Sequence, residues 1–183
     1  MTNLTDIRNT MLVSPQKVKT YGNINLNVND SEIGAAIRIA QNVHLKDAIC
    51  RDLVEHLQEL VYNNIKGIHP NIKDEENEAY KALLDDFIVP ALVYRTAMEL
   101  CTILTLKIRS MGVVKNNDTN VQTTTAADIS YMTEYYGALY NDALNRTVDF
   151  LSENKEAFKE LPDGFCTCST KSRFAQSGLW LGK

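Results

Sequence analysis

The sequence predicts an all-α protein: a four-helix-like body with a kinked long central helix and an extended arm at each end. Three observations lead there. Apolar residues recur at three-four spacing from residue 30 to about 161, the signature of helices with one buried face. Asn, Gly and Pro clusters punctuate those runs. The first 29 and the last 22 residues show no helical period. With 183 residues the chain is long enough for one domain with a sizeable core, or a domain plus arms.

In chain order, residues 1–29 read as an extended N-terminal arm or edge strand, because Ile24, Leu26 and Val28 share one face at a period of two. The helical body is expected over 30–161. Asn29 or Asp30 caps a first helix, with Glu32 placed for a capping box and Ile33, Ala36, Ile37, Ala40 and Val43 as its apolar face. A second helix carries Leu45, Ala48, Ile49, Leu53, Leu57, Leu60 and Val61, and "NNIKGIHPN" closes it. The third is expected from about Glu75 to Ser110, with a kink or break near Phe87–Val89 because Pro90 lies inside it. Beyond the proline it is apolar on nearly all sides, so it is the central helix, covered by the others. "MGVVKNNDTNVQTTT" is a long polar connection, of the kind that is either disordered or used for contacts. The last helix, Ala126 to about Phe158, buries Ile129, Met132, Tyr136, Leu139, Ala143, Leu144, Val148 and Leu151. Residues 162–183 read as an extended C-terminal arm.

The net charge of −4 argues against a nucleic-acid clamp, which shows a basic surplus. Its distribution is uneven. Residues 1–29 hold Arg8, Lys17 and Lys19 against Asp6, and residues 162–183 hold Lys171, Arg173 and Lys183 against Asp163, leaving the acid in between. The N-terminus has no basic segment followed by an apolar run, so no secretory signal is expected. Residues 87–106 are long enough to span a bilayer, but Arg95 and Glu99 sit at the centre, where charge is costly. We read a buried helix in which those two residues, one turn apart, form a structural charge pair. The four cysteines are expected as reduced thiols.

No catalytic constellation emerges. His44, His56 and His69 are isolated from one another, and Cys50 and Cys101 read as small buried side chains. Cys166 and Cys168 form half of a zinc site at most, since no second pair completes four ligands. There is no glycine-rich phosphate loop and no nucleophile elbow. We expect no enzyme, cofactor or metal. "YMTEYYGALY" sets Tyr131 over Tyr135 and Tyr136 over Tyr140, which fits either core rim or a subunit interface, with core preferred. The tail is different: Phe165, Phe174, Leu179, Trp180 and Leu181 are too apolar for a free end, and Trp180 is the only tryptophan.

"LVSPQKVKTYGNINLNVND", "IGAAIRIAQNVHLKDAI", "LLDDFIVPALVYRTAMELCTILTLKIRSMGVV" and "SGLWLG", in that order, resemble head–tail connector (adaptor or ring) proteins of tailed bacteriophages, above all those of crAss-like and related phages of Bacteroidales. The resemblance runs from about Leu12 to Gly182. Cys50 departs from it, standing where a glycine commonly follows the turn. The resemblance implies a virion protein of the neck, made in the host cytoplasm. It implies a closed ring, usually of twelve subunits, under the portal protein, which lengthens the DNA channel without sequence-specific binding and docks further neck or tail proteins, away from any membrane. Its arms would reach neighbouring subunits or the portal, through Tyr21, Ile24 and Leu26 at the N-terminal end and the Trp180 cluster at the other. An acidic body suits a channel wall, because repulsion of phosphates keeps DNA sliding. Two rivals remain: another neck component (a stopper or tail-completion protein) and a cytoplasmic helical DNA-binding regulator using residues 45–62.

Overall fold

The computed structural model describes residues 4–109, 112–115, 126–163 and 165. The described body is all-α, with one small β-ribbon appended. Its elements are α1 (Leu4–Asn9), α2 (Pro15–Tyr21), α3 (Asp30–Ile39), α4 (Lys46–Ala48), α5 (Arg51–Lys66), α6 (Glu78–Ala82), α7 (Val89–Thr105) and α8 (Ala126–Glu153). The strands β1 (Leu106–Arg109) and β2 (Gly112–Lys115) pair antiparallel, with Leu106 opposite Lys115.

The N-terminal arm is not extended. Residues 4–21 form two helices docked on the body, and Val18 is completely buried. Ser14 accepts from the Lys17 amide and Pro15 opens α2, a cap followed by a residue whose missing N–H costs nothing there. The period of two over Ile24–Val28 belongs to a turn, not a strand. At Gly22 an added Cβ would stand 2.6 Å from the Val18 carbonyl and 3.4 Å from Val93, so glycine lets this backbone approach α7. Two buried glutamines hold the connection between α1 and α2. Gln41 accepts from the Leu12 amide (2.8 Å) and donates to the Thr10 carbonyl (2.9 Å). Gln58 donates to the Arg8 and Thr10 carbonyls.

Asn29 caps α3, accepting from the Ser31 amide, and Ile33, Ala36, Ile37 and Ala40 are buried as their spacing requires. Val43 is not. A π-turn over Ala40–Leu45 inserts an extra residue into the helical repeat, so Gln41 and Leu45 face inward and Val43 is half exposed. The second helix is also broken, at Ile49–Cys50, before α5 begins. Cys50 has φ −155° and ψ 130°, an extended conformation open to any side chain, so glycine is not required. Gly67, at φ +68°, ends α5 in the left-handed region.

The path from Glu78 to Thr105 is helical throughout. The disturbance that Pro90 imposes takes the form of a π-turn over Leu83–Ile88, just before the proline, rather than a break. Widening that turn relieves the clash between the proline ring and the preceding carbonyls. By length and composition the stretch Glu75–Leu104 could cross a membrane. In this fold α2, α3 and α8 pack around it, and Ala91, Leu92, Val93, Ala97 and Leu100 are at most 3% exposed. The helix ends five residues earlier than expected, because "LKIR" and "GVVK" take up the ribbon instead. Against α7 runs α8, antiparallel: Phe87 stacks on Phe150 (4.3 Å between centroids) at one end and Met98 faces Gly137 near the other. Leu144, Val148 and Leu151 complete the core, while Met132 is exposed and Leu139 half-buried, contrary to the spacing-based expectation. Beyond α8, Phe158 and Leu161 fold back into the core.

Candidate functional site

Among the described residues, three of the places that concentrate polar or exposed apolar groups bear on function. The first is a charge cluster where the π-turn after α3 meets α7 and α8. Arg95 Nη2 donates to Glu99 Oε1 at 2.6 Å, one helical turn along, and both side chains are 18% exposed. The π-turn brings His44 to the same pair: its Nε2 lies 2.7 Å from Arg95 Nη2 and 3.2 Å from Glu99 Oε1. From α8, the Tyr140 ring lies under the guanidinium at 5.7 Å. Burial and the adjacent Arg95 cation hold the His44 pKa below its ordinary value, outweighing the pull of Glu99. The neutral ring accepts from Arg95, which places its proton on Nδ1. Burial pushes the Tyr140 hydroxyl up to about 12. These groups neutralise one another and lock three elements together.

The second place ties the segment after α8 to α5 and α6. Tyr80 donates to Glu160 Oε2 (2.9 Å) and packs edge-on against both His56 and Phe158. Cys50 donates its thiol to the Glu160 carbonyl (3.3 Å). Burial, then the Glu160 bond, pushes the Tyr80 hydroxyl up to about 12. His56 Nε2 is 3.7 Å from Glu160 Oε1, above a 300 Å3 recess that Asp52, Glu55 and Glu59 make acidic. Among the described residues no three His, Cys, Asp or Glu side chains are grouped to hold a metal ion.

The third place is the surface. The four tyrosines of α8 divide: Tyr136 and Tyr140 are buried, Tyr131 and Tyr135 are exposed. Tyr136 donates to the Gly22 carbonyl (2.9 Å), so α8 also fastens the end of α2. Tyr21 itself is 67% exposed and borders a groove of about 510 Å3 against α7. Leu26 is 78% exposed, whereas Ile24 is half-buried against the core.

Of the residues singled out from sequence, Arg95 and Glu99 are brought together, and Tyr21 and Leu26 are free on the surface. Phe165 packs half-buried on its own body. Phe174, Leu179, Trp180 and Leu181 lie outside the described residues, as do Cys166, Cys168 and residues 116–125. Sequence reasoning missed His44, Gln41 and Gln58. The one available signal was the polar Gln41 directly behind the apolar run "IGAAIRIA", a polar residue too close to the buried face to be ordinary surface.

No curated protein and no solved structure matches the chain. A family match covers residues 45–171, from the end of the π-turn into the C-terminal segment. The chain therefore belongs to DUF6712, a family described as of unknown function.

Proposed function

We propose that the chain is a structural subunit of the head–tail neck of a tailed phage, forming a ring against the portal protein and extending the DNA channel, with no turnover of its own. The observation that carries this reading is the ordered set of segments resembling connector proteins. Two of them, around α3 and α7, pack on each other at the centre of the body. The surface supports it. Tyr21, Tyr131 and Tyr135 are exposed aromatic side chains of the type enriched at protein interfaces. The DNA-reading alternative is poorly served by α5. Over residues 51–62 it presents one exposed cation, Arg51, against Asp52, Glu55 and Glu59, and the nearby Lys46 is buried and paired with Glu55 at 3.1 Å. Phosphate neutralisation needs free cations, so this face would repel DNA. Coexpression with the portal protein of the same phage tests the proposal: a stoichiometric complex is expected. A chain that ignores the portal and shifts promoter DNA would overturn it.

A further inference from the structure

The groove beside Tyr21 brings aromatic, proline and valine side chains together. Tyr21 of α2 forms one wall, and Val89, Pro90, Val93 and Tyr94 of α7 form the other. Two aromatic rings, a proline ring and two valines line a groove of mixed polarity of about 510 Å3, within the range of sites that enclose a bulky group. Polar groups line it too: Lys17 Nζ meets Asp85 Oδ1 there at 3.4 Å. A buried tryptophan needs apolar walls and one acceptor for its indole N–H, and the Asp85 carboxylate and the tyrosine hydroxyls supply acceptors there.

The chain carries one matching group. Trp180 lies between Leu179 and Leu181, in a stretch with Lys171, Arg173 and Lys183 and no Asp or Glu. The net charge of −4 thus divides into +3 over residues 166–183 and −7 over the rest. Two bodies at −7 repel each other, and a +3 segment from one laid on the other offsets that repulsion. The fifteen-residue step from Phe165 to Trp180 spans about 50 Å when extended, well beyond the radius of gyration of about 16 Å for a domain this size.

We propose that this groove seats the Leu179–Trp180–Leu181 segment of a second copy of the chain. The contact is heterologous, tail into groove, so each subunit offers one seat and one plug, the arrangement that closes rings. The choice of a second copy rests on the ring reading above.

The test titrates a fluorescein-labelled peptide of residues 171–183 with the full-length Trp180→Ala chain and follows anisotropy. Saturable binding is expected, weakened at least about tenfold by Tyr21→Glu, a substitution at an exposed position that leaves the core intact. Absence of binding, or binding indifferent to Tyr21→Glu, overturns the proposal. Tryptophan emission of the wild-type chain resolves the remaining occupant. A monomer whose Trp180 is quencher-protected, and released by Tyr21→Glu, places the chain's own tail in the groove and overturns the second copy. Peptide binding without portal copurification retires the ring reading and leaves the groove contact standing. Portal copurification without peptide binding does the reverse.

Discussion

His44 illustrates how one residue takes its meaning from an irregular turn. Alone in the sequence, it stands in the structure 2.7 Å from Arg95 and is held neutral by burial and that cation. Its folded pKa lies below the unfolded value of 6.5, so the unfolded chain binds the extra proton first. Stability is therefore full above about pH 6.5 and declines as the pH falls from there toward the depressed folded pKa. The groups facing the ring are Arg95, Glu99 and, more distantly, Asp47. Urea midpoints between pH 7.5 and 5.5 should drop for the wild type and stay flatter for His44→Gln; equal slopes would contradict this account. Glu99→Ala leaves Arg95 without its carboxylate in a largely enclosed site, and we expect a loss of about 2–4 kcal/mol by denaturant unfolding. Arg95→Met together with Glu99→Leu should recover much of it, since the cost lies in stranding one charge.

At the scale of elements, helix type was legible and helix continuity was not. The apolar faces of α3, α5, α7 and the second half of α8 follow three-four spacing, and tertiary packing buries them accordingly. The π-turns at Ala40–Leu45 and Leu83–Ile88 shift that register by about a residue, which is why Val43 faces out and Gln41 in. Three-four spacing presumes constant pitch, which such a step breaks. Pro90 did announce the second one. The N-terminal helices were hidden for another reason: at six and seven residues they are too short to show a period, and they hold because α1 packs on α5 and α2 packs on α3 and α7. Gln41→Leu should strand the Leu12 amide, while the Thr10 carbonyl keeps its bond from Gln58, and cost about 1–3 kcal/mol. Native-state hydrogen exchange at the Leu12 amide should accelerate well before the amides of α7. Uniform acceleration across both would show that the N-terminal helices are not separately held.

For the whole molecule, the described residues form an acidic helical body whose central helix is enclosed by its neighbours, with aromatic side chains left outside. The candidate charge pair could be read from sequence, because Arg95 and Glu99 are neighbours within one helix. The groove could not, since it joins Tyr21 to Pro90 and Tyr94 across long stretches of chain. Deleting residues 176–183 should leave the far-ultraviolet circular dichroism unchanged and weaken assembly, because the truncation removes Trp180 and spares every buried residue described. Lost helicity would mean the tail supports the fold itself. We propose that this chain builds a ring on a portal. The most direct measurement is the mass, by native mass spectrometry, of the complex formed when chain and portal are coexpressed. A complex carrying a closed set of copies, in fixed ratio to portal subunits, is the predicted result. A chain that remains monomeric beside an unoccupied portal at every concentration would contradict it.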